Sequence, residues 1–205
     1  YTAACEQHVD ATHNNLSLLP MCGIAGIVDK QLSEEELARL GQRMLASMAH
    51  RGPDHRGTWC TPPVWLGHNR LSIIDLSSAS HQPMSYRERT MTFNGEIYNY
   101  IELRAELELD GYRFTTTGDT EVVLAAYDRW GHDCVTHFIG MWALAIWDDA
   151  AQELFMSRDR FGIKPLHYLV TNGRLYFASE IKALKVSPLF RNDINFIGSG
   201  CGGRL

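Results

Sequence analysis

Residues 141–147, Met-Trp-Ala-Leu-Ala-Ile-Trp, are apolar without interruption. A strand with one solvent face alternates apolar and polar side chains, so this run implies a strand buried on both faces. Such a strand needs a layer on each side. A layered sandwich, sheets inside and helices outside, meets that need.

The rest of the pattern supplies the layers. Residues 24–28 read as a short apolar strand directly after Cys22 and Gly23. A helix follows, with Ser33 and Glu36 at capping-box spacing and Leu32 and Leu37 where a hydrophobic staple would sit. Leu37, Leu40, Met44 and Met48 recur at helical spacing and form its buried face. Residues 64–68 and 90–93 read as strands. Residues 100–109 read as a helix stopped near Gly111, and residues 120–130 as another, capped by Asp119 or Thr120 and stopped by Gly131. After the central run come strand-like segments at 154–157, 166–170 and 175–178. Asn172-Gly173 between the last two is a hairpin signal. The order strand, helix, strands, two helices, strands defines an α+β fold with a largely antiparallel sheet.

The ends lack this patterning. Residues 1–20 are polar, aperiodic and without Met, and residues 198–205 are rich in Gly. The patterned body, residues 21–197, is expected to be one domain.

Composition narrows the function classes. The formal charge is −5 over 205 residues, which gives no general attraction to nucleic acid or an anionic membrane; residues 50–56 are the local basic exception. No apolar run approaches the roughly 20 residues that span a bilayer. Five cysteines, at 5, 22, 60, 134 and 201, are too scattered for a disulfide framework, and no Cys-x-x-Cys metal spacing occurs. A reducing cytoplasm is the expected location. Nine histidines include no His-x-x-x-His pair on a helix, so no metal is expected.

Several short motifs carry chemistry or structure, and each has two readings. Cys22 follows Met21, and removal of Met21 would give Cys22 a free α-amine. A thiol (reference pKa about 8.5) beside an amine of about 7.7–8.0 would place nucleophile and base on one residue. The alternative is a structural cysteine in an edge strand. Asn94-Gly95 is a hairpin signal, or a side-chain amide and backbone N–H forming an oxyanion hole on a tight turn. Arg70 is a solvated strand-end residue or a bidentate carboxylate clamp. Asp119 is a helix cap or faces a ligand ammonium. Residues 50–54, His-Arg-Gly-Pro-Asp, read as a turn, and residues 158–166 as a charged loop between strands.

Together these segments resemble the class II, N-terminal-nucleophile glutamine amidotransferases, and within them the glutamine-hydrolysing asparagine synthetases. The matching pieces occur in the family's order: Cys22-Gly23-Ile24, then His50 to Asp54, Arg70 to Ile74, Asn94 to Asn99, Gly118 to Val122, Arg158 to Leu166 and Ala178 to Leu184. The resemblance implies a four-layer αββα sandwich. It implies that Cys22 is the nucleophile with its own amine as base, and that Asn94 and the Gly95 N–H form the oxyanion hole. Arg70 would grip the carboxylate of L-glutamine, Asp119 and Glu96 would face its ammonium, and the backbone of Leu71, Ser72, Ile73 and Ile74 would line the pocket. No cofactor is expected in this domain. ATP and Mg²⁺ belong to a synthetase domain or subunit, expected after Ile197, whose Ser-Gly-Gly-x-Asp-Ser motif does not occur here. The resemblance allows a homodimer. Residues 1–20 have no counterpart and are expected to be a propeptide or, preferably, upstream sequence read in frame. Two alternatives remain: an amidotransferase feeding another acceptor, such as an amino sugar, and a catalytically silent glutamine-binding fragment if residues 1–20 are retained.

Overall fold

A capping box starts the first helix. Ser33 Oγ accepts from the Glu36 N–H at 3.3 Å, and a Glu36 carboxylate oxygen accepts from the Ser33 N–H at 2.9 Å. The computed structural model describes residues 21–71 and 81–191. The expectations for residues 1–20, for Ser72, Ile73 and Ile74, and for the tail from Gly198 lie outside the described residues.

In chain order the elements are β1 (Gly23–Val28), α1 (Glu34–Ser47), a 3-10 turn (Ala49–Arg51), β2 (His55–Thr61), β3 (Val64–Arg70), β4 (Met84–Tyr86) and β5 (Arg89–Ile97). Then follow α2 (Tyr100–Leu109), α3 (Asp119–Trp130), a second 3-10 segment (Gly131–Thr136), β6 (Gly140–Asp148), β7 (Glu153–Arg158), β8 (His167–Thr171), β9 (Arg174–Ala178) and the short α4 (Ile181–Leu184). One sheet has the order β2-β3-β1-β9-β8 and the other β4-β5-β6-β7. Every pairing is antiparallel. Asn172 and Gly173 both take positive φ, 49° and 73°, and close the β8–β9 hairpin as a two-residue turn of this kind requires.

Three apolar clusters separate four layers. Ala25, Ile27, Trp65 and Tyr176 of the first sheet pack against Leu37, Leu40, Met44 and Leu45 of α1 and Leu184 of α4. Met91, Phe93, Leu144 and Ile146 of the second sheet pack against α2 and α3 through Leu103, Leu107, Val123 and Leu124. Between the sheets lie Ile24, Val64, Leu66 and Phe177 from one side and Ala143, Ala145 and Trp147 from the other. The two-residue side-chain period thus splits β6: Ala143, Ala145 and Trp147 face the other sheet, while Trp142, Leu144 and Ile146 face α3. The uninterrupted apolar run is buried on both faces, and the fold is an αββα sandwich.

Three expectations need correction. Asn94-Gly95 is not a hairpin turn. It lies within β5, paired with Ala143 and Trp142 of β6, because the strand continues past Phe93 through residues whose alternate side chains still face the sheet interior. Neither Asp119 nor Thr120 caps α3; the cap is Gly118, without a side-chain bond. The Asp119 carboxylate instead accepts from the Ile97 N–H at 2.9 Å, tying α3 to the end of β5. The β2 and β4 edge strands escaped the sequence reading, since β2 is His-Arg-Gly-Thr-Trp-Cys-Thr and β4 has only three residues. Edge strands with polar side chains carry little periodic signal.

Gly41 shows how tightly helix and sheet meet. A Cβ at this position would lie 2.2 Å from Trp65 Cδ2, and Trp65 is fully enclosed. Gly41→Ala gains about 1 kcal/mol of helix propensity, but overpacking a core costs about 1–3 kcal/mol. Net destabilisation is expected; urea unfolding that shows Gly41→Ala as stable as the parent would contradict this packing.

Candidate active site

The same alternation that fills the inter-sheet core also builds a cavity at its end. On β3, Val64 and Leu66 point between the sheets, so His68 and Arg70 follow them. On β5, Met91, Phe93 and Ile97 face the helices, which leaves Thr92, Asn94 and Glu96 on the inner face. Cys22 precedes the inward Ile24 by two residues. These side chains meet where β1 begins and where β3 and β5 end. A cavity of about 230 Å³ is lined there by Cys22, His68, Arg70, Leu71, Asn94, Gly95, Glu96, Asp119, Thr120 and Lys164, among others. Seven of the residues singled out from sequence therefore line one space: Cys22, Arg70, Leu71, Asn94, Gly95, Glu96 and Asp119. His50 and Asp54 do not line it.

The nucleophile candidate is held from both sides. The Cys22 thiol donates to Leu71 O at 3.6 Å, and the Leu71 N–H donates to Sγ at 3.4 Å. Burial pushes the Cys22 thiol pKa up; the Leu71 N–H and the charges of Lys164 and Arg70 oppose that shift. The backbone is clamped as well. Arg51 Nε donates to Cys22 O at 3.1 Å, and its Nη1 donates to Glu180 Oε1 at 3.1 Å. Ser179 brackets Ile24, accepting from its N–H through Oγ at 2.9 Å and donating its own N–H to Ile24 O at 2.9 Å. The motif at 50–54, which by itself reads as a turn, and the matching segment at 178–184 thus converge on the first strand.

Asn94 is 3% exposed, and its Nδ2 has no hydrogen-bond partner. An orphaned buried amide costs about 1–3 kcal/mol, a cost that a bound acceptor would remove. Burial raises the Asp119 pKa, and the neighbouring Glu96 charge raises it further; the Ile97 N–H opposes both.

His68, Gln82, Thr120, Met141 and Lys164 line the cavity without having been named as site residues. His68 and Thr120 lie within segments already read as strand and helix, so helical or strand periodicity hid them. His68 Nε2 lies 3.2 Å from Phe93 O, which can only accept, so Nε2 carries the proton and Nδ1 is bare. Burial lowers its pKa to about 3. Lys164 was hidden in the loop after β7. Asp159 organises that loop, accepting from the backbone N–H groups of Trp142, Phe161, Ile163 and Lys164. Gly162, at φ +63°, lets the loop turn back over this carboxylate, which the sequence does not announce. Among the described residues no group of three or more His, Cys, Asp or Glu could hold a metal ion, Cys22, Cys60 and Cys134 are free thiols, and no helix is long and apolar enough to cross a membrane.

Two antiparallel sheets stacked between helices, with Cys22 just before the first inner strand, form an architecture found elsewhere. Solved structures share it: a glutamine phosphoribosylpyrophosphate amidotransferase from B. subtilis superposes with a TM-score of 0.68 at 22% identity, covering 80% of this chain and 43% of that one. A structure described as the allosteric regulatory enzyme of purine biosynthesis gives 0.70 over the same shares. The family model for the glutamine amidotransferase domain matches residues 21–198, and the chain belongs to that family. It is 45% identical over 181 residues to asparagine synthetase [glutamine-hydrolyzing] 1 of Bacillus subtilis, covering 85% of this chain and 28% of that protein. It is 42% identical to asparagine synthetase 3 of the same organism (82% and 28%) and 38% identical to the amidase chry2 of Gibberella zeae (80% and 26%). The chain thus spans little more than a quarter of the length of these relatives.

The buried neutral His68 should leave a pH signature. Its folded pKa of about 3 lies below the unfolded value of about 6.5. The unfolded chain therefore takes up a proton first, and stability falls as pH drops from about 6.5 towards 3. Between pH 7 and pH 5 this group accounts for a loss of about 2 kcal/mol. Denaturant unfolding at both pH values should show that increment shrinking in His68→Gln. An undiminished pH dependence in the variant would place the titration elsewhere.

Proposed function

We propose that this chain is the glutaminase half of a glutamine-dependent asparagine synthetase. It hydrolyses L-glutamine to glutamate and ammonia, and the ammonia amidates aspartate in a separate ATP- and Mg²⁺-dependent domain or subunit. The observation that carries the reading is one cavity lined by both Cys22 and Asn94, whose buried Nδ2 has no partner. Arg70 in that cavity suits a carboxylate, and Asp119 and Glu96 suit an ammonium, which are the two charges of a free amino acid.

In this reading the Met21–Cys22 bond is first hydrolysed. The Cys22 α-amine then accepts the thiol proton, and Sγ attacks the side-chain amide carbon of glutamine. The developing oxyanion is held by Asn94 Nδ2 and the Gly95 N–H. Collapse, with the proton returned from the α-ammonium, expels ammonia and leaves a thioester. Water cleaves the thioester to glutamate and restores the thiol. The half-reaction needs no cofactor. The scattered cysteines suit the reducing cytoplasm. The similarity to the amidase chry2 keeps a second reading in view, in which the ammonia serves an acceptor other than aspartate. Pairing the chain with candidate synthetase partners and following asparagine formation distinguishes the two.

Protein prepared to begin at Cys22 is expected to release glutamate and ammonia from glutamine without ATP. Cys22→Ala should abolish turnover while glutamine binding, measured calorimetrically, persists; turnover in that variant would end the assignment.

Asn94→Ala should lower kcat by about 10²–10³ with little change in KM, because an oxyanion donor acts chiefly in the transition state. Arg70→Ala should chiefly raise KM. The reverse pattern in steady-state kinetics would exchange the two roles.

A further inference from the structure

Lys164 is a buried cation that the chemistry above leaves without a task. It is 8% exposed. Its backbone is fixed: the N–H donates to Asp159 Oδ2 at 2.9 Å, and its carbonyl accepts from Arg158 Nε at 2.7 Å. Arg158 also holds Gly162 O from Nη2 at 2.5 Å, so the loop is tied down on both sides of the positive-φ glycine. The side chain enters the cavity beside Cys22, where Nζ lies 3.5 Å from Met21 Sδ.

That thioether is a poor partner. Among the described residues no carboxylate lies within ion-pair distance of Lys164, and a buried ammonium without a counter-ion costs several kcal/mol. The arrangement is complete only when an anion comes up to Nζ. The residue carrying the thioether is the one whose removal would free the Cys22 amine, so its departure would uncover Nζ next to the nucleophile.

We propose that Lys164 is a positioning residue that holds Cys22 as the thiolate once Met21 is gone. Its charge acts through space and its proton stays on Nζ; the thiol proton still goes to the Cys22 α-amine. Other charges line the same cavity, Arg70 from the end of β3, Glu96 from β5 and Asp119 from α3, while Arg51 of the 3-10 turn approaches Cys22 from the backbone side. Arg51 is engaged by Glu180 and the Cys22 carbonyl. Glu96 and Asp119 oppose the thiolate. Lys164 is the largest charge lowering the thiol pKa, ahead of Arg70, and Cys22 in turn raises that of Lys164 against its own desolvation. This inference rests on Cys22 being the nucleophile proposed above, but its test does not require glutamine.

The test uses protein beginning at Cys22. The rate of alkylation by iodoacetamide is followed from pH 5 to 10, with Cys22→Ala as the background for the other thiols. Lys164→Gln and Lys164→Met should each raise the Cys22 titration midpoint by about one unit, and Lys164→Arg should keep it within a few tenths. Two neutral variants guard against one that fails to fold, which circular dichroism monitors. The acid limb of kcat/KM for glutamine should move up in parallel. Folded neutral variants that titrate at the parent pH would overturn the proposal. So would a raised KM with an unmoved midpoint, which would make Lys164 a substrate ligand. A shifted midpoint in a protein that does not hydrolyse glutamine would leave the Lys164 inference standing and remove the glutaminase reading instead.

Discussion

The close approach of two inner sheet faces is the constraint on which the rest depends. Small side chains allow it, Ala143 and Ala145 on β6, while Gly26 on β1 leaves room for the inward Phe177 ring of β9, which a Cβ would approach to 2.2 Å. Polar bonds then cross the gap. Thr92 Oγ1 donates to Gly67 O at 3.1 Å, and His68 Nε2 lies 3.2 Å from Phe93 O. They bind backbone of one sheet to side chains of the other, so spacing and lateral register are set together. The apolar filling gives way to polar side chains at one end, and the inward positions there become the walls of a cavity instead of core.

The polar end is expensive to maintain, and the chain closes on itself to do so. β1 lies in the middle of its sheet between β3 and β9. Its pairing with β3 begins at Gly23, but its pairing with β9 begins only at Ala25. The Ser179–Ile24 bracket and the Glu180–Arg51–Cys22 relay carry the hold on that side on to Ile24 and Cys22. Segments more than 150 positions apart thus determine where the Cys22 thiol sits, and Leu71, at the far end of the neighbouring strand, meets Sγ from the other side.

Much of the architecture was legible because burial leaves a period in the sequence. The unbroken apolar run of β6, the Ser33–Glu36 cap and the Asn172-Gly173 turn each report a local physical demand, and each stands where expected. Strand alternation also carried information about the site: once Ile24, Leu66 and Phe93 are oriented, Cys22, Arg70 and Asn94 follow by parity. His68 and Lys164 were not legible. A histidine in an otherwise buried strand looks like any other strand residue until its neighbours are known. A lysine in a Gly- and Pro-bearing loop looks solvated until Asp159 is seen to turn that loop inward. Asp119 misled for a related reason: an Asp at a helix start has a local use so common that a bond to another element's backbone leaves no trace in the sequence.

The cavity's two sides belong to different sheets, Cys22, His68 and Arg70 to one and Asn94 and Glu96 to the other. A small molecule bridging them would therefore act as a rivet between layers. Its binding free energy would appear as resistance of the whole sandwich to shear and melting, growing as RT ln(1 + [L]/Kd) with ligand concentration. Neither sheet alone supplies the whole lining, so such a ligand would tie recognition to the integrity of both layers.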